Sequence, residues 1–228
     1  MDWFEPVRSY CERGGPQFWA EPANALSNAA FLVAAAAAAR RAFVSEPPDR
    51  ACLSLSALIA VVGVGSFLFH TLAVYWSMLA DVIPIALFIY AYLALALHRF
   101  LRLAPVRVAA AVGGFSLFGL ALTPLLDGLT GLDIARLSNG SIDYLPAVIA
   151  LFGVAWAATR RPEERFVGTG RRLLGIGVLF LTSLAARTVD QAACALLPAG
   201  THPLWHVLNA AVLYGLVATA IRHRQTAG

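Results

Sequence analysis

Apolar residues come in long runs along this chain, broken by short polar stretches. Seven runs, about 24–44, 51–72, 77–98, 105–126, 142–159, 172–196 and 203–221, match the ~20 residues a helix needs to cross a hydrocarbon core. Between them lie turn-rich or charged breaks such as Glu46-Pro47-Pro48-Asp49-Arg50 and Arg160-Arg161-Pro162-Glu163-Glu164-Arg165. Lipid offers no partner to an open sheet edge, and no alternating barrel pattern is present, so the spanning element is a helix. The pattern predicts an all-α polytopic membrane protein. Residues 24–221 form a seven-transmembrane-helix bundle, preceded by a tail over 1–23 and followed by a short tail over 222–228.

Composition strengthens this reading. The chain is 59% hydrophobic and 13% charged, with a mean hydropathy of +0.71, too little charge to cover a soluble surface of this size. The net charge of +4 comes from arginine alone, since the chain contains no lysine. Lys-free, Ala- and Arg-rich usage resembles that of a high-GC bacterial genome. A basic balance can mean nucleic acid, but here the arginines sit in the gaps between apolar runs, which argues for membrane orientation and no nucleic-acid partner. Arg40, Arg41 and Arg50 follow the first run, and Arg99, Arg102 and Arg107 the third. Arg160, Arg161, Arg165, Arg171 and Arg172 follow the fifth, and Arg222 and Arg224 the seventh. The intervening loops hold only Arg136. Positive residues stay inside, which predicts an N-terminus outside, a C-terminus in the cytoplasm and, for a bacterial chain, residence in the inner membrane. No cleavable signal peptide is visible, because residues 1–22 carry six charges and no apolar core.

Ionisable side chains within membrane spans are costly, so each is a functional candidate. His70, near the end of the second run, and His202 and His206, at the start of the seventh, fall on the outer side by the charge argument. His98 and His223 sit beside Arg99, Arg222 and Arg224 and read as solvated at the opposite interface. His202 and His206 are one turn apart and share a helix face, with Pro203 suited to the first turn. Two imidazoles from one helix and one from another match zinc held by three protein ligands, the fourth position left open. An isolated pair of this spacing also arises as a hydrogen-bonded interhelical contact. Ser66, four before His70, shares its face, although packing of Gly63, Gly65 and Ser66 against a neighbouring helix is a competing reading. Asp81 has three readings: orienting a histidine, taking a proton from water at the metal, or favouring a helix dipole. Asp190, one turn from Arg187, reads as half of an intrahelical ion pair. A metal with an open position beside a carboxylate is a hydrolytic arrangement, because the ion lowers the pKa of water to roughly 7 and polarises a carbonyl. A serine hydroxyl can stabilise the oxyanion. The substrate is lipid-like, since the site opens among helices.

These motifs resemble the alkaline ceramidases of the CREST superfamily of seven-helix membrane hydrolases, particularly their bacterial members. The resemblance runs through Tyr10-Cys11-Glu12-Arg13, Trp19-Ala20-Glu21-Pro22-Ala23-Asn24-Ala25-Leu26-Ser27-Asn28, Gly65-Ser66-Phe67-Leu68-Phe69-His70, Asp81 and His202-Pro203-Leu204-Trp205-His206, nearly the whole chain in order. It implies a zinc amidase with His70, His202 and His206 as ligands, Asp81 activating water and Ser66 stabilising the oxyanion. The implied reaction splits the N-acyl bond of ceramide, or of a similar N-acylated lipid, into a sphingoid base and a fatty acid. It also implies a calcium site in the tail, with Glu12 and Glu21 as acidic ligands and Tyr10 offering a carbonyl. Two positions depart from that pattern, Ser9 in place of an aspartate and Gly14 near an asparagine, and calcium wants about six to eight oxygens. Cys11 and Cys194 both face the outer side, where a disulfide forms readily, and the resemblance points the same way. Cys52, on the inner side, is expected to stay free. No obligate protein partner is evident. A receptor-like protein with a structural zinc, or a transporter relaying protons through Asp81 and Asp190, are the rival readings. Short inner loops argue against the first, and the lack of an internal repeat against the second.

Overall fold

A computed structural model describes residues 2–226. Residue 1 of the expected outer tail and residues 227 and 228 of the expected C-terminal tail lie outside the described residues. Seven helices are long and apolar enough to cross a membrane: α1 Pro22–Phe43, α2 Arg50–Leu72, α3 Tyr75–Arg99, α4 Pro105–Thr130, α5 Ser141–Thr159, α6 Glu164–Thr188 and α7 His202–Gln225. No strand occurs among the described residues, where an isolated β-bridge joins Pro6 to Val74. The chain is all-helical and membrane-embedded, as its apolar runs predict.

Six boundaries agree with the sequence reading to within a turn or so. The sixth helix runs from 164 to 188 rather than from 172 to 196. Its arginine-rich start is helical because one face, Phe166, Thr169, Gly170 and Leu173, is buried. Gly170 permits a close approach to α5, where a Cβ would meet the Ala155 carbonyl at 2.6 Å. The helix stops early because Asp190 turns inward to serve the start of α7, leaving a short separate helix over Asp190–Ala193.

The spans differ in how deeply they pack. α7 is the centre, with 61% of its apolar window buried, whereas α4 is peripheral with 6%. α7 packs on α6 and α1, α2 lies between α1 and α3, and α5 pairs with α6. Glycines set two contacts of α2. A Cβ at Gly65 would collide with the Ala80 carbonyl of α3, and one at Gly63 would press on the Phe31 side chain of α1.

One end of the bundle is rich in arginine. There Asp49 accepts the Cys52 N–H at 3.2 Å, capping α2. It also takes both Nη atoms of Arg99, at 2.7 and 3.1 Å, with Arg224 at 3.4 Å. Burial pushes the Asp49 carboxyl upward, but hydrogen bonds and charge from Arg99 outweigh it and hold the pKa below the usual value. His223 is not solvated as its sequence context implies. It is 3% exposed, and its Nδ1 pairs with Thr169 Oγ1 at 2.8 Å between the rings of Phe100 and Phe166. His98 is exposed.

Candidate metal centre

At the opposite end, two helices bring three histidines together from positions far apart in the sequence. His70 lies in the last turn of α2 and His202 and His206 in the first turns of α7, all at most 2% exposed. Each offers a ligand atom, and these atoms lie within 4.8 Å of one another. It is the one group of three such ligands among the described residues.

Neighbouring side chains decide which ring atom faces inward. His70 Nδ1 donates to Glu21 Oε2 at 2.6 Å. The Ser27 hydroxyl gives its proton to the Asn24 carbonyl at 2.9 Å, so its oxygen accepts from His206 Nδ1 at 2.7 Å. Both rings therefore keep Nδ1–H turned outward and present the lone pair of Nε2, as metal-ligating histidines do when held by a hydrogen-bonded neighbour. His70 Nε2 and His202 Nδ1 are buried and have no partner. Buried polar atoms are rarely left so, and three convergent imidazoles, two of them with an orphaned nitrogen, fit a divalent transition metal such as zinc.

The backbone of α7 is held in place by Asp190. Its Oδ1 accepts the N–H groups of Thr201 and His202 at 2.7 and 2.9 Å, and Oδ2 accepts that of Cys11 at 3.1 Å. This carboxylate at a helix N-terminus satisfies donors that would otherwise be orphaned. The intrahelical pair with Arg187 expected from the sequence is therefore not made.

Asp81, 8% exposed, lines the cleft beside the histidines, with one carboxylate oxygen, Oδ1, buried and unpartnered. Ser66 is its neighbour across the α2–α3 contact that Gly65 makes possible. The cleft has a volume of about 590 Å³. It shares Ile85 and Tyr144 with an apolar pocket that continues between the helices past Phe88, Phe180 and Leu213.

The expected calcium residues take other partners. Glu12 accepts the N–H groups of Ala23 and Asn24 at 2.7 and 2.8 Å, capping the start of α1. Glu21, 2% exposed, is engaged by the Arg13 guanidinium, by His70 and by Asn24 Nδ2. Burial alone would raise the Glu21 pKa, but the hydrogen bonds and charges of His70 and Arg13 hold it below the ordinary value. Arg13 also donates to the carbonyls of Gly15 at 3.2 Å and His70 at 2.7 Å. The Ser9 carbonyl accepts Gln191 Nε2 at 2.6 Å, and Gly14 is exposed. The Tyr10 ring stacks on His202, centroids 3.6 Å apart. The Arg13 guanidinium thus sits on the buried Glu21 carboxylate, while Glu12 caps α1.

Cys11 and Cys194 form the expected disulfide, Cα–Cα 5.3 Å, and Cys52 is free and buried. Ser27 and Arg13 escape a sequence reading because a serine in a helix and an arginine in a tail are commonplace. Glu21 announces itself only by preceding Pro22 at a helix start.

No curated protein matches the chain. The family model described as Ceramidase matches residues 9–227, nearly the whole length, and the chain belongs to that family. It is a hydrolase acting on the amide bond of ceramide.

Proposed function

We propose that this ceramidase is a zinc amidase that frees a fatty acid and a free amine, a sphingoid base, from ceramide or a similar N-acylated lipid. The observation that carries the reading is the buried triad of His70, His202 and His206 beside Asp81, with unpartnered nitrogens on His70 and His202. The three imidazoles hold the ion, which when bound supplies Lewis acidity and water of lowered pKa. Asp81 accepts the proton of the attacking water and returns it to the leaving amine nitrogen. Ser66 donates its hydroxyl to the carbonyl oxygen as negative charge gathers there. Glu21 and Ser27 keep His70 and His206 in the binding tautomer, and the apolar pocket past Phe88 receives the acyl chain.

The charge pattern supports an orientation with the triad facing outward, in the bacterial inner membrane. The ends of α3 and α7 with Arg99 and Arg224, and the loop with Arg102, gather at the other end through Asp49 and Glu163. Residues 1–23 then form an outer tail over the catalytic bundle 24–221, with a cytoplasmic tail over 222–228.

Fatty-acid release from a fluorescent ceramide by detergent-purified protein, beside His206→Ala, with zinc quantified in both, tests this. About one zinc per chain and measurable release, both lost in the variant, is the expected result. Active wild-type protein free of zinc overturns the mechanism, and zinc without release redirects the search to other N-acyl lipids.

A further inference from the structure

Arg187 closes α6 at the edge of the same cleft. Its guanidinium is walled by the rings of Tyr10, Tyr144 and Trp205, at 5.8, 5.7 and 5.6 Å from their centroids. Nη1 donates to Tyr10 Oη at 2.9 Å, whereas Nε is buried without a partner. The ion pairs among the described residues are made by other arginines. The acid nearest in sequence, Asp190, spends its oxygens on the N–H groups of Cys11, Thr201 and His202. Arg187 is also held in register, its carbonyl accepting Asn139 Nδ2 at 2.9 Å. A cation taken out of water needs a counter-charge or a full set of acceptors. Aromatic faces supply part of this and leave a donor open.

The cleft around it is basic. Arg8, Arg136 and Arg187 line it against Asp81 as its acid. A rigid guanidinium fork suits a planar or tetrahedral oxyanion, and binds it bidentately. From this we infer that, beyond ceramide, the site takes an N-acyl lipid whose amine portion bears an anionic group, a carboxylate, sulfonate or phosphate, which Arg187 receives while the amide lies at Asp81. This rests on the amidase reading for turnover, but its binding half stands independently. Arg187 acts here as a specificity residue.

Two amides that share the acyl chain and two-carbon spacer and differ in the terminal group test it: N-oleoyltaurine, an anionic sulfonate, and N-oleoylethanolamine, a neutral alcohol. Binding is read by tryptophan fluorescence on chelator-treated protein in a neutral detergent, and turnover by oleate release from the metal-loaded protein. Wild type is expected to favour the anionic amide by roughly tenfold to a hundredfold in both. Arg187→Gln should erase the preference while leaving the neutral amide within about twofold, and Arg187→Lys should restore part of it. Equal affinities in wild type overturn the inference whatever the variants do. An equal loss for both amides in Arg187→Gln makes the arginine structural and also overturns it. Selective binding with no turnover of either amide or of ceramide sinks the amidase reading and leaves the anion site standing.

Discussion

The two ends of this bundle both bury ionisable groups, and they treat them in opposite ways. At the arginine end Asp49 is met by Arg99, Arg224 and the Cys52 N–H, and His223 by Thr169. At the histidine end lie all six buried side-chain atoms left without a partner among the described residues, in Asn24, Asn28, His70, Asp81, Arg187 and His202. Similar chemistry thus serves two purposes. A buried polar cluster that satisfies itself holds helices together, whereas one left open is kept for something that arrives from outside. Burial alone does not separate them, since His223 at 3% is nearly as hidden as His206 at 2%.

The comparison breaks most visibly at His206. His206→Ala should lower fatty-acid release by roughly a thousandfold or more and remove bound metal, while unfolding no earlier than metal-free wild type. A variant that keeps its activity would put the triad among the structural clusters. Asp49→Ala should do the reverse, since it strands the half-buried Arg99 and Arg224 and uncaps α2. It should cost about 3 kcal/mol, read as earlier thermal unfolding in detergent, with specific activity of the folded fraction within about twofold. Glu21→Gln tests the border between the two classes. Weakening the hold on His70 should reduce metal affinity by about tenfold to a hundredfold in a chelator competition.

Acid sharpens the contrast further. The folded pKa of Asp49 lies below its unfolded value. Its stabilisation is therefore present above the ordinary carboxylate pKa of about 3.9 and lost as pH falls through the lower folded value. Wild type should lose melting temperature on acidification below about pH 4, and Asp49→Asn should show less of that loss. The smallest effect is expected from calcium. Because Arg13 already occupies Glu21, a calcium-selective chelator should leave the melting temperature unchanged. A clear drop would support the calcium site that the tail motif implies.

Much of this was legible in the chain, for physical reasons. Lipid forces apolar length and arginine placement to reveal the spans, and a helix turn puts His202 beside His206. The early start of α6 was hidden because Arg165, Arg171 and Arg172 read as loop, while Phe166 and Gly170 pack their turns inward. Arg187 and Asp190 look like partners along one helix, yet Asp190 is drawn to the N-terminus of α7, a three-dimensional contact with no local signature. The tail was similarly opaque. Nothing in Arg13 taken singly tells that its guanidinium ties Glu21 to the carbonyl of His70.

The bridge between Cys11 and Cys194 spans 183 residues, so its two halves leave the ribosome far apart in time. At about 5–20 residues per second, roughly 10 to 40 seconds separate them. Through that interval the nascent tail can dock only on the early helices, through Glu12, Arg13 and Pro6, because Asp190 and α7, which carries two of the three imidazoles, do not yet exist. No truncated or half-inserted chain can gather the triad. A lipid-cleaving protein built in this order stays harmless to the membrane that receives it until its last helix is threaded.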